Sequence, residues 1–399
     1  MKMREVFLAM IILVSVSFFF ATTVGYAKEV RGISKDTINY GIICDLSGPA
    51  ARPSTDHMWG FKNYLLHMND QGGVHGRKFN VIVEDDHYSV PSSIAAFKKL
   101  VFRDGVLGIW ASVATASASA LFRQIEKQKV IYTPGSLSDI ITEPYKRYVF
   151  GSAASYEDNV KLIYDYIMKD LKAKDPKIVY VGPDSEMGHV GLKAARESAK
   201  FHGIKPPGVE ICPLTVLDTT PQVLNLKRVE PDFVIIHGIA DNAAALLRDA
   251  RKFNFKTNFF GTRFTCSKDL IEIAKKASEN FISVDCFSSW DDKSPGMGKL
   301  REVTLRYQPE KKGRSSEYVH GWVTAVTHVE AMKRAGNDLN VESFVNALES
   351  IKNFDTNGLT GFITYTSKSH KPMDLCKLFK VDLKNVQFVP ITDWRKPSF

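Results

Sequence analysis

Between Met68 and Val101 the chain reads MNDQGGVHGRKFNVIVEDDHYSVPSSIAAFKKLV, and few architectures accept that order of signals. Trp59, Phe61, Leu65, Leu66 and Met68 recur at close to the helical period, so an amphipathic helix is predicted over Trp59 to Asn69. Gly72, Gly73 and Gly76 follow, and glycine reaches positive φ without a side-chain clash, which allows a sharp reversal. Phe79 to Val83 then runs outward, predicted as a buried strand ending in Glu84, Asp85 and Asp86. Helix, tight turn and buried strand in this order demand a parallel sheet flanked by helices. Nothing in the segment resembles a catalytic device.

The alternation continues along the chain. Strands are predicted at Ile38 to Cys44, Phe79 to Glu84, Leu107 to Ala111, Val130 to Thr133, Lys177 to Val181, Val209 to Cys212, Phe233 to His237, Asn258 to Gly261 and Phe281 to Val284, with helical patterns between most of them. Such spacing implies right-handed parallel α/β units, and a chain of this length exceeds one ordinary domain. The fold class is therefore α/β with two Rossmann-like lobes. A first crossing between lobes is placed near Gly151 to Tyr156, where GSAASYEDN supplies small residues and then an acidic helix start.

Lys2 and Arg4 precede an apolar run from Val6 to Val16 extended by Phe18, Phe19 and Phe20, and Gly25, Tyr26 and Ala27 give a small-x-small end. This is the pattern of a secretory signal peptide covering residues 1–27, which implies export to the periplasm. Its removal takes the formal charge from +9 to +8, because Lys2, Arg4 and Glu5 leave together. The lysines are scattered singly over helix faces, so the basic balance describes a solvated surface and not a nucleic-acid interface. Cys44, Cys212, Cys266, Cys286 and Cys376 have neither CxxC spacing nor a clustered histidine, which gives no support for a metal or redox cofactor. Cys266 with Cys286 is one conceivable disulfide. GxSxG, GxGxxG, GxxxxGK[ST] and HExxH are all absent, which argues against an enzyme; His57, His67, His75, His87, His189, His202 and His237 read mostly as helix-surface or loop residues.

Three further motifs, LSGP at Leu46 to Pro49, LRDAR at Leu247 to Arg251 and FFG at Phe259 to Gly261, join the GG..G turn and the DD strand end. From Ile38 to about Tyr365 the chain resembles the type I periplasmic solute-binding proteins, specifically the branched-chain amino acid receptors of ABC importers. The resemblance implies three strands crossing between the lobes as a hinge. It divides the chain into the signal peptide 1–27, an N-terminal lobe of 28–154 plus 286–360, and a C-terminal lobe of 155–285 plus 361–399. It implies a monomer that closes on a small-molecule ligand and presents it to a membrane permease, with no cofactor and no nucleic acid; a sensing subunit with a signalling partner, or an exported α/β enzyme, are the alternatives.

In doubly wound sheets ligands sit beyond the carboxyl ends of the strands. Ser112 and Thr115 precede a helix start suited to a carboxylate. The resemblance adds the turn Pro134, Gly135, Ser136, Leu137 as a second grip on that group. Where the amino acid receptors carry an acidic residue after the FFG strand this chain has Arg263, and other expected aromatic positions become Ile239, Met187 and Pro53. These changes predict an apolar pocket with a cation at one side, favouring an organic or aromatic carboxylate over leucine unless Asp184, Glu186 or Asp241 compensates Arg263. Tyr318 is the candidate aromatic wall.

Overall fold

The computed structural model describes residues 30–111, 115–216, 218–310 and 313–399. The proposed signal peptide, Ser112 and the Lys311–Lys312 pair lie outside them. The first sheet contains β1 (Thr37–Cys44), β2 (Lys78–Asp85), β3 (Gly108–Ala111) and β4 (Ile131–Pro134) in the order β2-β1-β3-β4, all parallel. Its helices include α1 (Ala51–Asp70), α2 (Val90–Lys98) and α3 (Thr115–Gln128). Helix α1 begins eight residues before the predicted start at Trp59. Its first turns bury Ser54 and His57, polar residues that an apolar stripe does not register.

The second lobe contains α4 (Tyr156–Asp165), β5 (Ile178–Gly182), α5 (Glu186–Phe201), β6 (Gly208–Ile211), α6 (Thr220–Val229), β7 (Phe233–Ile236), α7 (Ala240–Lys252), β8 (Asn258–Gly261), α8 (Lys268–Ala274) and β9 (Ile282–Asp285). Helix α4 starts on a reciprocal cap, Asp158 N–H donating to Ser155 Oγ at 3.1 Å and Ser155 N–H to Asp158 Oδ2 at 2.9 Å. The chain then adds α9 (Pro295–Tyr307), α10 (Ser316–Ala335) and α11 (Val341–Glu349) to the first lobe before β10 (Lys377–Asp382) and β11 (Gln387–Pro390) complete the second sheet. That sheet has the order β11-β10-β9-β8-β7-β5-β6; β10 runs antiparallel to β9 and β11 antiparallel to β10. The sheet is therefore mixed and not wholly parallel, because the C-terminal hairpin adds an antiparallel edge.

Helices α1 and α10 cross closely enough that a Cβ on Gly60 would lie 1.9 Å from the Tyr318 carbonyl oxygen, and one on Gly321 2.0 Å from that of His57. Only glycine permits backbones so near. The three connections between the lobes run side by side. Thr360 Oγ1 donates to the Cys286 carbonyl at 2.5 Å, Ser288 N–H to Leu359 at 2.8 Å, and Gly151 N–H to His370 at 3.0 Å. One buried apolar cluster runs from the first sheet past these connections to α4 and α5; a second fills the other face of the second sheet. Among the described residues no helix is long and apolar enough to cross a membrane.

Candidate functional site

The carboxyl ends of β3 and β4 face the second lobe. Gly135 N–H donates to the Ala111 carbonyl at 2.9 Å, which draws the turn after β4 against the end of β3. There Thr115 Oγ1 and Ser136 Oγ meet at 2.8 Å, both buried. Tyr156, at the start of α4, donates its N–H to the Leu137 carbonyl at 2.8 Å, while its buried hydroxyl, close to Thr115 and Ser136, has no partner among the described residues. Burial raises the Tyr156 phenol above its ordinary pKa, so it stays a neutral donor.

The second lobe approaches through His237 and Arg263. The His237 ring lies 5.0 Å from that of Tyr156, and its nitrogens meet Thr262 Oγ1 at 2.9 Å and the Met187 carbonyl at 3.1 Å. Burial lowers its pKa to about 4, so the ring is neutral. Met187, in the first turn of α5, and Ile239, before α7, are both buried in the apolar cluster that also holds Leu137.

Arg263 follows β8 and is fully buried. Its Nε lies 3.5 Å from Asp285 Oδ1, its Nη1 3.8 Å from Glu317 Oε1, and its Nη2 donates to the Ser316 carbonyl at 3.3 Å. Asp285 ends β9 while Ser316 and Glu317 open α10, so the guanidinium bridges the lobes. Phe264 and Phe287 stack on it at 4.7 and 4.9 Å. Burial would lower its pKa, but Asp285 and Glu317 outweigh that and raise it. Two carboxylates around one guanidinium leave a negative excess, and burial pushes Glu317 up to about 7 despite Arg263. The expected unaccompanied cation is thus corrected: Arg263 has counter-ions, and they are not the anticipated ones. Asp184 pairs with His189 at 2.8 Å, Glu186 accepts from Ser119 across the lobes at 3.1 Å, and Asp241 meets Arg52 at 3.9 Å.

Behind these groups lie His57 and His320, ring centroids 4.1 Å apart, between Trp110 at 4.5 Å from His57 and Phe287 at 4.6 Å from His320. Both imidazoles are fully buried, none of their four nitrogens has a partner among the described residues, and burial with Arg263 nearby drives both well below the ordinary histidine range. A Cβ on Gly135 would stand 2.5 Å from His57 Cε1, so that glycine makes room for the ring. His57 and His237 are therefore core residues, not surface ones. In front lies a cavity of about 670 Å³ between the lobes, lined by Pro53, Asp56, Trp59, Phe264, Asp269 and Glu317 among others. Tyr318 lies deeper: its hydroxyl bonds Asn63 Nδ2 and Thr304 Oγ1 at 2.8 Å each, inside the packing of α1, α9 and α10.

The sequence profile of periplasmic binding proteins matches residues 37–386. The chain belongs to that family. This periplasmic binding protein is 23% identical over 250 residues to the Leu/Ile/Val/Thr-binding protein of Salmonella typhimurium, covering 62% of the chain and 67% of the relative. It is 23% identical over 297 residues to the leucine-specific-binding protein of the same organism, covering 74% and 77%. Among solved structures it superposes on a branched-chain amino acid ABC transporter protein from Thermus thermophilus with bound valine at a TM-score of 0.84, with 23% identity and coverage of 92% and 98%. A fatty acid ABC transporter substrate-binding protein from Thermomonospora curvata gives a TM-score of 0.85 with 23% identity and coverage of 93% and 95%. These likenesses establish a two-lobe α/β fold.

Of the residues singled out from sequence, Thr115, Gly135, Ser136 and Leu137 gather at one locus with Tyr156, and Met187 joins them through His237. Arg263 lies across the seam, Pro53 lines the open cavity, and Ser112 falls outside the described residues. Tyr156, Asp285, Glu317, His57 and His320 were not anticipated. A signal for His57 existed: it stands four residues before Phe61 on the buried face of α1.

Proposed function

We propose that this periplasmic binding protein is the solute-capturing component of an ABC importer, residing in the periplasm after loss of its signal peptide and carrying out no chemistry. It takes a small carboxylate-bearing solute between the lobes and offers the closed form to a membrane permease. The observation that carries this reading is the convergence of the Thr115, Ser136 and Tyr156 hydroxyls at the start of α3, where the positive end of the helix dipole favours an anion. Valine and fatty acids, named for two proteins of the same fold, share only a carboxylate and an apolar body. Met187, Ile239 and Leu137 supply apolar surface for such a body. Arg263 already faces Asp285 and Glu317, so a second anionic group on the ligand has no open counter-ion there.

The test is a thermal-shift screen comparing leucine, 4-methylpentanoate and 4-methylpentanol. A ligand at 100 times its dissociation constant adds about 2.7 kcal/mol of stability, enough to read as a shift of the melting point. Stabilisation by one or both carboxylates and not by the alcohol is expected. Equal stabilisation by the alcohol overturns the carboxylate seat. Replacing Thr115 by Val together with Ser136→Ala should weaken the stabilising carboxylate at least about tenfold, the loss of one to two charge-assisted hydrogen bonds.

A further inference from the structure

Two thiols face each other where the second and third connections meet the second sheet. Strands β9 and β10 pair with Leu378 opposite Val284 and Lys377 opposite Asp285. One more step of that register sets Cys376 opposite Cys286. The N–H and C=O of Cys376 are both bonded to Arg395, at 2.9 and 2.8 Å, on the β11 side of β10. Cys376 and Cys286 therefore form the narrow type of antiparallel pair, without mutual backbone bonds, in which Cα atoms stand about 4.5 Å apart. Disulfides span Cα separations of roughly 4.4–6.8 Å, so no backbone movement is needed. Alternation along the strands puts both side chains on the face of Val284 and Leu378, and all four belong to one buried cluster. Asn159 Nδ2 donates to Cys376 Sγ at 3.5 Å, and Asn159 Oδ1 accepts the Arg263 N–H at 3.1 Å, so the pair adjoins the interlobe seam.

We propose that Cys286 and Cys376 are a disulfide site that ties the second and third interlobe connections together. The reaction is exchange with a disulfide oxidant such as oxidised glutathione. One cysteine thiolate attacks it and expels a glutathione thiolate; the second cysteine then attacks the mixed disulfide and expels the other. Two cysteine thiols are oxidised and two glutathione thiols appear, each expelled glutathione thiolate taking up one of the two protons the cysteines give up. The adjacent Cys286 thiol and burial both raise the Cys376 pKa, so the folded pair exchanges slowly and the bond closes while the chain folds. The bond encloses residues 287–375 in a covalent loop, which restricts the unfolded chain. Cys266 with Cys286, the pairing considered from sequence, has no such register behind it.

The inference is independent of which solute is bound. The full chain is refolded with oxidised glutathione or with dithiothreitol, then denatured, alkylated and mapped by mass spectrometry. Expected under oxidation is a linked Cys286–Cys376 peptide pair with Cys44, Cys212 and Cys266 alkylated, and a melting point higher by roughly 5 °C or more than that of the reduced protein. Cys376→Ala and Cys286→Ser should each melt at one temperature in both buffers. Alkylation of all five cysteines, glutathione retained on one of the two, a link to Cys266, or an unchanged melting point despite the link each overturns the proposal.

Discussion

The crossing of α1 over α10 and the polar seam between the lobes are both sealed from water, yet they are assembled on opposite terms. At the crossing, glycines bring backbones into contact, and the Tyr318 hydroxyl finds partners in Asn63 and Thr304. At the seam, His57, His320, Tyr156 and two nitrogens of Arg263 are buried with hydrogen-bonding capacity unused among the described residues. An unmet buried donor costs about 1–3 kcal/mol, so the seam is held shut weakly for its area, and the crossing is weakened only where His57 and His320 meet behind it. Burial alone does not mark rigidity; satisfied burial does.

The sharpest way to break this contrast is Arg263→Leu. It strands Asp285 and Glu317 without a counter-ion and should destabilise the protein by about 4 kcal/mol in denaturant titration; adding Asp285→Asn and Glu317→Gln should restore most of it. If the single variant is neutral, the seam is not an ionic one. Next, Gly321→Ala pushes a methyl into the His57 carbonyl and should cost about 3 kcal/mol, with ligand affinity retained in the folded fraction.

Acid should act first where imidazoles are buried neutral, at the seam and at the His57–His320 pair behind it. His57, His237 and His320 are held neutral in the fold, His237 at about 4. Folded pKa values below the unfolded value of about 6.5 mean stability present above that pH and lost below it, at about 1.4 kcal/mol per pH unit for each group. Glu157 and Glu317, both near 7, oppose this by taking up protons in the folded state as pH falls, but burial also holds His202, His328 and His370 below the ordinary histidine range. Melting points should fall from pH 7 to pH 5, and His57→Gln with His320→Gln should flatten the slope. The smallest effect belongs to Arg52, which reaches from α1 to Asp241 and Asp269 at 3.9 and 3.5 Å but is more than half exposed. Arg52→Ala should change stability by less than about 1 kcal/mol, and a measurable rise in ligand off-rate would identify it as a latch at the cleft mouth.

Most strands were legible as short, mainly apolar runs bounded by turn residues; β3, β4, β5 and β7 are buried throughout, while β2 and β6 lie at sheet edges with exposed residues. Strand β10, KLFKVD, was missed because it lies near the antiparallel edge, where Lys377, Lys380 and Asp382 break the run. The first-lobe half of the candidate site was legible, since a strand end and helix start place Thr115 by topology and the family resemblance adds the turn that carries Ser136. The ionic seam was not. Asp285 and Glu317 are 22 and 54 residues from Arg263; the pairing of β8 with β9 brings Asp285 alongside, and only the meeting of two lobes adds Glu317. Nor does spacing reveal that an aromatic such as Tyr318 turns its hydroxyl inward to Asn63.

Helix α10 holds one more buried imidazole. His328 meets the Tyr40 hydroxyl of β1 at 2.7 Å and the Thr133 hydroxyl of β4 at 3.0 Å. The strands at either side of β3 are thereby riveted to the same rod whose leading end carries Glu317. Sheet and rod must travel as one piece, so strain applied at that leading end has no soft place to dissipate inside the first half of the molecule. It arrives undiminished at the three side-by-side spans.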